Sequence, residues 1–102
     1  MVRANIEVPK KRMAEFCQRH HIRKLALFGS VLREDFGPES DVDVLVEFEP
    51  EARVGFFELY DMEQELSKLL GHRRIDLVTE KSLHRLIRGP ILAAAKVQYA
   101  QE

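Results

Sequence analysis

Two aspartates separated by one residue, Asp41 and Asp43, stand at the start of an apolar run that ends at residue 48. Because side chains alternate along a β-strand, the two carboxylates should project from one face while Val42 points to the other. Like charges this close repel each other, and burying them unpaired is costly. We therefore expect a cation at this position, and hard carboxylate oxygens suit Mg²⁺ or Mn²⁺.

A second candidate is the Gly29-Ser30 pair, which directly follows the apolar residues 25 to 28. Ser30 predicts the N-cap of a short helix that ends near residue 36. A helix N-terminus presents unpaired N–H groups that suit phosphate, and Gly29 lets a ligand approach the backbone closely. Arg33, one turn later, would add a forked donor. A phosphate cradle beside metal-binding carboxylates is the layout for phosphoryl or nucleotidyl transfer.

The remaining pattern predicts the elements that position these residues. Helices are expected over residues 9–20, 55–70, 82–87 and 90–101, and strands over residues 23–28, 41–48 and 73–79. The apolar stripe of the first helix is Met13, Phe16, Cys17 and His20. The apolar face of the second predicted helix comprises Phe56, Leu59, Tyr60, Met62, Leu66, Leu69 and Leu70, interrupted by Glu63.

The connections between the predicted strands bring a third acid to the same edge. The short link between the first two strands indicates an antiparallel pair, and the helical crossover to the third indicates a parallel pair. Asp76, a charge within the apolar run of the third strand, then reaches the edge that carries Asp41 and Asp43. Alternatively, Asp76 is an exposed residue paired with Arg74. The predicted class is α+β, with a small mixed sheet of about three strands flanked by helices.

These residues resemble a known signature. Gly29-Ser30, ten intervening residues and then Asp41-Val42-Asp43 resemble the DNA polymerase beta-like nucleotidyltransferase superfamily. Ser40 before the first aspartate and residues 45 to 48 after the second resemble its minimal branch, and the resemblance covers about residues 9 to 99. Leu32 and Glu34 depart from one common form of the family, which has small residues there. The resemblance implies the nucleotidyltransferase fold.

The resemblance also implies a mechanism. Two Mg²⁺ ions, with Mn²⁺ as a substitute, would be held by Asp41 and Asp43, and Asp76 would bind the ion nearer the acceptor. The same three aspartates would be the catalytic residues. ATP is the substrate implied, although no feature of the chain selects the base. The residues that the resemblance assigns to the nucleotide are Gly29, Ser30 and Arg33.

Minimal nucleotidyltransferases of this kind are often paired with a helical HEPN protein, an RNase-type toxin. Three hypotheses stay open. The chain is an antitoxin that transfers AMP to a tyrosine of a HEPN partner, an antitoxin that neutralises its partner by binding alone, or a nucleotidyltransferase acting on a small molecule. Part of the apolar surface within residues 82–102 would dock the partner, unless core packing uses all of it. The apolar positions concerned are Leu83, Leu86, Ile87, Ile91, Leu92 and Val97.

Composition limits the alternatives. A chain of 102 residues with 45% hydrophobic residues makes one domain, with residues 1–8 as a flexible arm. No apolar run approaches the ~20 residues that cross a bilayer. The single cysteine, Cys17, should be buried and fits a reducing cytoplasm. Residues 34–65 hold twelve acidic residues against one arginine, which argues against direct nucleic-acid binding.

Overall fold

The computed structural model describes residues 6–33, 36–37, 39–79, 82–83 and 85–101, and only the backbone of residues 85–88. Within these residues a four-stranded sheet has the order β3-β2-β1-β4. The elements in chain order are α1 (Lys10–Arg19), β1 (Ile22–Phe28), a 3₁₀ helix (Gly29–Leu32), β2 (Val42–Phe48), α2 (Phe56–Leu69), β3 (Ile75–Thr79), α3 (Arg85–Ala94) and β4 (Lys96–Ala100). The α+β class is confirmed, with four strands rather than three.

Alternation along β2 divides the core into two sides. Val42, Val44 and Val46 face the larger cluster, which also includes the stripe of α1 and the inner residues of α2. Leu45 faces the other way and joins a smaller cluster with Phe28. Because the side-chain period of a strand is two, Asp43 lies on the same side as Leu45. The predicted pairing is confirmed, since β1 and β2 are antiparallel while β2 and β3 are parallel.

The first helix forms as predicted. Met13, Phe16 and Cys17 are fully buried, and burial raises the pKa of the Cys17 thiol to about 12. Ile6 and Val8 pack against the larger cluster, so two positions of the expected flexible arm contact the core, and residues 1–5 lie outside the described part. No helix among the described residues is long and apolar enough to cross a membrane.

The second half of the chain differs from the prediction. Helix α3 continues through Gly89 and Pro90 instead of breaking there. Pro90 forfeits one helical hydrogen bond, and packing of Ile91 against the smaller cluster offsets that loss. The predicted final helix over residues 90–101 is wrong beyond Ala94, because the chain turns into β4 and pairs with the otherwise open edge of β1.

Helix α2 has the predicted bounds, with Gly71 beyond its end at φ +85°. Its predicted apolar face is only half used: Met62 and Leu66 are buried, whereas Phe56 and Tyr60 are 91% and 60% exposed. The helix packs mainly through its C-terminal half, with Leu59 partly buried against the larger cluster, while Phe56 and Tyr60 point away from the core. Glu63, the exception on the predicted face, accepts a hydrogen bond from the backbone N–H of Leu77 at 3.4 Å.

Candidate active site

The strand register brings the predicted acids to one edge of the sheet. Phe28, the last residue of β1, pairs with Asp43 of β2, and Asp43 in turn pairs with Asp76 of the parallel strand β3. Asp41 lies just before β2. The end of one strand and the starts of two others thus meet at the same place. The structure therefore groups the three aspartates as the sequence predicted.

The carboxylate of Asp43 lies at the centre of this group and is half-buried. Burial raises the pKa of Asp43, and the charge of Asp76 raises it further. A hydrogen bond from the backbone N–H of Ser30 lowers this pKa, while Asp41 raises it and Arg33 lowers it. The raising effects prevail: burial is the largest, and the neighbouring charges of Asp76 and Asp41 add to it. A site of this electrostatic character attracts a cation.

The Gly29-Ser30 turn has a different geometry from the one predicted. Gly29 adopts φ +73°, a conformation that suits glycine, and a Cβ atom there would overlap the carboxylate of Asp43. Ser30 is not an N-cap: it lies inside the 3₁₀ helix, which ends at Leu32 rather than near residue 36. Its hydroxyl donates to the backbone oxygen of Asp41 at 3.0 Å. The turn therefore ties the end of β1 to the residues that precede β2.

Arg33 follows the 3₁₀ helix and is exposed. Its positive charge lowers the pKa of Asp43, so Arg33 lies near the three aspartates, as predicted. Glu34, one of the two departures from the common family form, lies outside the described residues, and Leu32 packs against the larger cluster. The predicted nucleotide residues Gly29, Ser30 and Arg33 thus share one edge with the aspartates.

Two further arginines, not predicted as site residues, lie at the same edge. Arg74 contacts Asp41, with 3.1 Å between Nε and Oδ1. Asp76 is exposed, as the alternative hypothesis expected, but the ion pair of Arg74 is with Asp41 and not with Asp76. Arg73 donates to the backbone oxygen of Gly37 at 2.6 Å and stacks over the ring of Phe36. The sequence feature that could have indicated this role is the adjacent pair Arg73-Arg74, which directly precedes the strand that carries Asp76. Together these arginines hold the segment that leads into β2.

The donor set fits a hard divalent cation. Its three carboxylates supply oxygen ligands, and the pKa of Asp43 is raised first by burial and then by the charge of Asp76, which a cation would offset. In the described part of the chain, however, no three His, Cys, Asp or Glu side chains are positioned to hold a metal ion by themselves. Asp41 is engaged by Arg74. A metal ion therefore binds here only if Asp41 leaves Arg74, or if a substrate supplies further ligands such as phosphate oxygens.

The adjacent histidines are not a metal pair. His20 contacts Glu65 at 3.0 Å and His21 contacts Glu49 at 3.1 Å, so the two rings serve separate partners. Neither residue lies within α1, which ends at Arg19, and the backbone of His21 adopts φ +57°.

Comparison with known proteins identifies the family. Residues 10–98 match the nucleotidyltransferase domain family, and the chain belongs to it. It is 36% identical over 78 residues to the protein adenylyltransferase MntA of Thermococcus cleftensis, an alignment that covers 76% of each chain. A solved structure provisionally named a minimal nucleotidyltransferase aligns with a TM-score of 0.69 and 31% identity, over 84% of this chain and 85% of that one.

Complexes provide further neighbours in fold. A toxin–antitoxin structure with AMP-PNP aligns with a TM-score of 0.72 and 15% identity, over 93% of this chain and 76% of that one. A complex of tri-AMPylated Shewanella oneidensis HEPN toxin with MNT antitoxin aligns with a TM-score of 0.63 and 16% identity, over 90% of this chain and 70% of that one. The chain is a nucleotidyltransferase with the architecture of the minimal members.

Proposed function

We propose that the protein transfers AMP from ATP to a tyrosine hydroxyl of a helical HEPN-type partner and acts as the antitoxin of that partner. The observation that carries the proposal is the sheet edge at which Asp43 faces Asp76 beside Asp41 and the Gly29-Ser30 turn. The similarity to a protein adenylyltransferase supports the reaction class, and the fold shared with an AMPylated toxin complex supports the partner.

In the proposed reaction, the acceptor oxygen attacks the α-phosphorus of ATP and forms a new O–P bond. The bond from the α-phosphorus to its bridging oxygen breaks, and pyrophosphate leaves. Two Mg²⁺ ions, or Mn²⁺ in their place, would be held by Asp41, Asp43 and Asp76. These ions would neutralise phosphate charge and lower the pKa of the acceptor hydroxyl.

The chain's own residues divide the remaining work. The Gly29 turn and Ser30, with Arg33 beside them, orient the phosphates at the edge of the sheet. Asp76 is the more exposed of the two register partners, and it accepts the proton that the acceptor hydroxyl loses. Positioning and charge neutralisation are the protein's contribution to the rate.

The test is incubation of the purified protein with ATP, Mg²⁺ and a HEPN-type partner, followed by intact-mass measurement of the partner. The wild type should add the mass of AMP at each modified tyrosine, and the partner should stay inactive after the two proteins are separated. Asp43→Asn should bind the partner without modifying it.

Two results would replace the proposal. If Asp43→Asn still neutralises the partner and the wild type adds no mass, the protein is an antitoxin that works by binding. If the wild type modifies only a small hydroxyl compound, the acceptor is not a protein.

A further inference from the structure

Three aromatic side chains at the start of α2 are exposed. Phe56, Phe57 and Tyr60, which we call the aromatic face, are 91%, 87% and 60% exposed. Tyr60 follows Phe56 by four residues and Phe57 by three, so the three are neighbours on the helix surface. Each such ring can bury on the order of 150–250 Å². An apolar patch of several hundred Å² exceeds what scattered surface residues provide and marks an interaction surface.

The aromatic face continues into a cleft. A cavity of ≈ 500 Å³ is lined by residues that include Phe48, Val54 and Leu59. Leu59 lies one helical turn after Phe56, so the cleft and the face share an edge. This geometry suits a partner that lays apolar side chains on the rings and inserts one into the cleft.

The charges around this surface indicate which charges a partner should carry. Glu58 and Asp61, on the same turns of α2 as the rings, and Glu51, in the loop before α2, are exposed, and Glu47 and Glu49 line the cleft. The arginines nearby are fewer: Arg23, which pairs with Glu47 at 3.6 Å, and Arg53. Two copies of the chain that met through this surface would bring carboxylates against carboxylates, which is unfavourable. A complementary occupant carries lysines or arginines around an apolar centre.

We propose that the aromatic face and its cleft dock a helix of the partner protein that presents apolar side chains flanked by Lys or Arg. The inference rests on the proposed function, because it takes the HEPN-type partner as the occupant. The cleft lies where β2 and β3 end, since Phe48 and Thr79 line it. Asp43 and Asp76 lie toward the other end of the same strands, five residues from Phe48 and three from Thr79, which is roughly 10–17 Å away at the usual rise per residue. Docking therefore leaves the catalytic edge open to nucleotide.

The experiment compares two double variants in binding to the purified HEPN-type partner by calorimetry. Phe56→Ser with Phe57→Ser should weaken binding by about tenfold or more, because large aromatic anchors dominate interfaces. The comparison variant is Leu92→Ser with Val97→Ser, which removes the other large exposed apolar side chains of the described residues and tests the competing docking surface within residues 82–102. The comparison variant should bind as tightly as the wild type. Circular dichroism should show that both variants are folded.

Charge provides a second measurement. Asp61→Lys should weaken binding, and raising the salt concentration should weaken binding of the wild type more than that of Asp61→Lys. Unchanged affinity in the Phe56/Phe57 variant would overturn the proposal, as would a loss of affinity confined to the Leu92/Val97 variant. Sedimentation showing wild-type dimers that the Phe56/Phe57 variant abolishes would assign the surface to a second copy instead.

AMP transfer distinguishes this inference from the proposed function. If the partner binds through the aromatic face but never gains AMP, docking stands and the proposed reaction fails. If AMP is transferred and the Phe56/Phe57 variant binds normally, the reaction stands and docking lies elsewhere. If the wild type does not bind the HEPN-type partner at all, the docking proposal is overturned.

Discussion

The carboxylate of Asp43 lies against the backbone of Gly29, so closely that a Cβ atom on Gly29 would be 3.2 Å from Asp43 Cγ and nearer still to Oδ2. The glycine is therefore needed for the acid as well as for any phosphate. A side chain at this position would push Asp43 away from the edge it shares with Asp76. This contact joins the two halves of the sequence signature into one structural unit.

Gly29→Ala should destabilise the protein by about 1–3 kcal/mol, because it adds positive-φ strain to a steric overlap with Asp43. Gly71→Ala is the matched control: Gly71 also has positive φ, but a Cβ there would meet nothing within 4 Å. Urea unfolding should show a larger loss for Gly29→Ala than for Gly71→Ala. Equal losses of unfolding free energy would mean that the Asp43 side chain moves aside at no energetic cost and that the contact does not require glycine at residue 29.

The same contact illustrates what sequence can predict. Strand alternation placed Asp43 on one face, and the parallel crossover placed Asp76 beside it, because both rules depend on local geometry. The outcome at residues 96–100 depended instead on a distant partner, the open edge of β1. Five residues with two polar positions, Lys96 and Gln98, are too short a segment for periodicity to decide between helix and strand.

The contact between Arg74 and Asp41 illustrates what sequence misses. Both residues are evident in the sequence. Which aspartate Arg74 contacts depends on the offset between the first residues of β2 and β3, and local sequence does not specify that offset. Likewise, Phe56 fits the helical stripe that Met62 and Leu66 bury, yet it is exposed. Periodicity reports the direction of a side chain and does not report where the core ends.

Removing two charges should separate metal binding from folding. Asp41→Asn with Asp43→Asn should abolish the rise in melting temperature that Mn²⁺ plus ATP produces in the wild type, because a ligand of the native state alone stabilises it. Without metal, the double variant should be at least as stable as the wild type, since repulsion is relieved. Glu15→Gln, an exposed change on α1, is the control. A metal-induced shift retained in the double variant would refute the site.

Asp76→Asn should keep nucleotide binding and lose most of the transfer activity. Because the charge of Asp76 helps raise the pKa of Asp43, the variant should also have a lower Asp43 pKa. NMR titration of the metal-free protein can measure this shift independently of activity. Full transfer activity in Asp76→Asn would mean that Asp76 affects the pKa of Asp43 but takes no part in the transfer reaction.

Stability should depend on pH through Glu65. Arg19 donates to its carboxylate, and this contact, with a smaller contribution from His20, lowers the pKa of Glu65. A carboxylate with a lowered folded-state pKa contributes stability above its unfolded pKa and loses it as pH falls through the folded value. Glu65→Gln should thus be less stable than the wild type at pH 7 by less than about 1 kcal/mol. Melting curves should converge in acid, and a constant difference would exclude this origin.

Arg74→Gln should bind the divalent cation more tightly than the wild type. Arg74 is 82% exposed and Asp41 is half-exposed, so their ion pair is weak and contributes little to folding. A cation that uses Asp41 must nevertheless compete with the guanidinium for the same carboxylate. Removing the guanidinium should lower the Mn²⁺ dissociation constant by about two- to fivefold, as expected from a surface pair worth about 0.5–1 kcal/mol.

The matched control is Arg23→Gln, which removes a comparable arginine–carboxylate pair, Arg23 with Glu47, away from the aspartates. Manganese titration by electron paramagnetic resonance should find the affinity of this control unchanged. Weaker binding in Arg74→Gln would reverse the interpretation: Arg74 would then position Asp41 for the cation. Equal binding in both variants would mean that Asp41 leaves Arg74 at no cost, or that Asp41 is not a ligand. The single variant Asp41→Asn decides between these two, because it weakens Mn²⁺ binding only if Asp41 is a ligand.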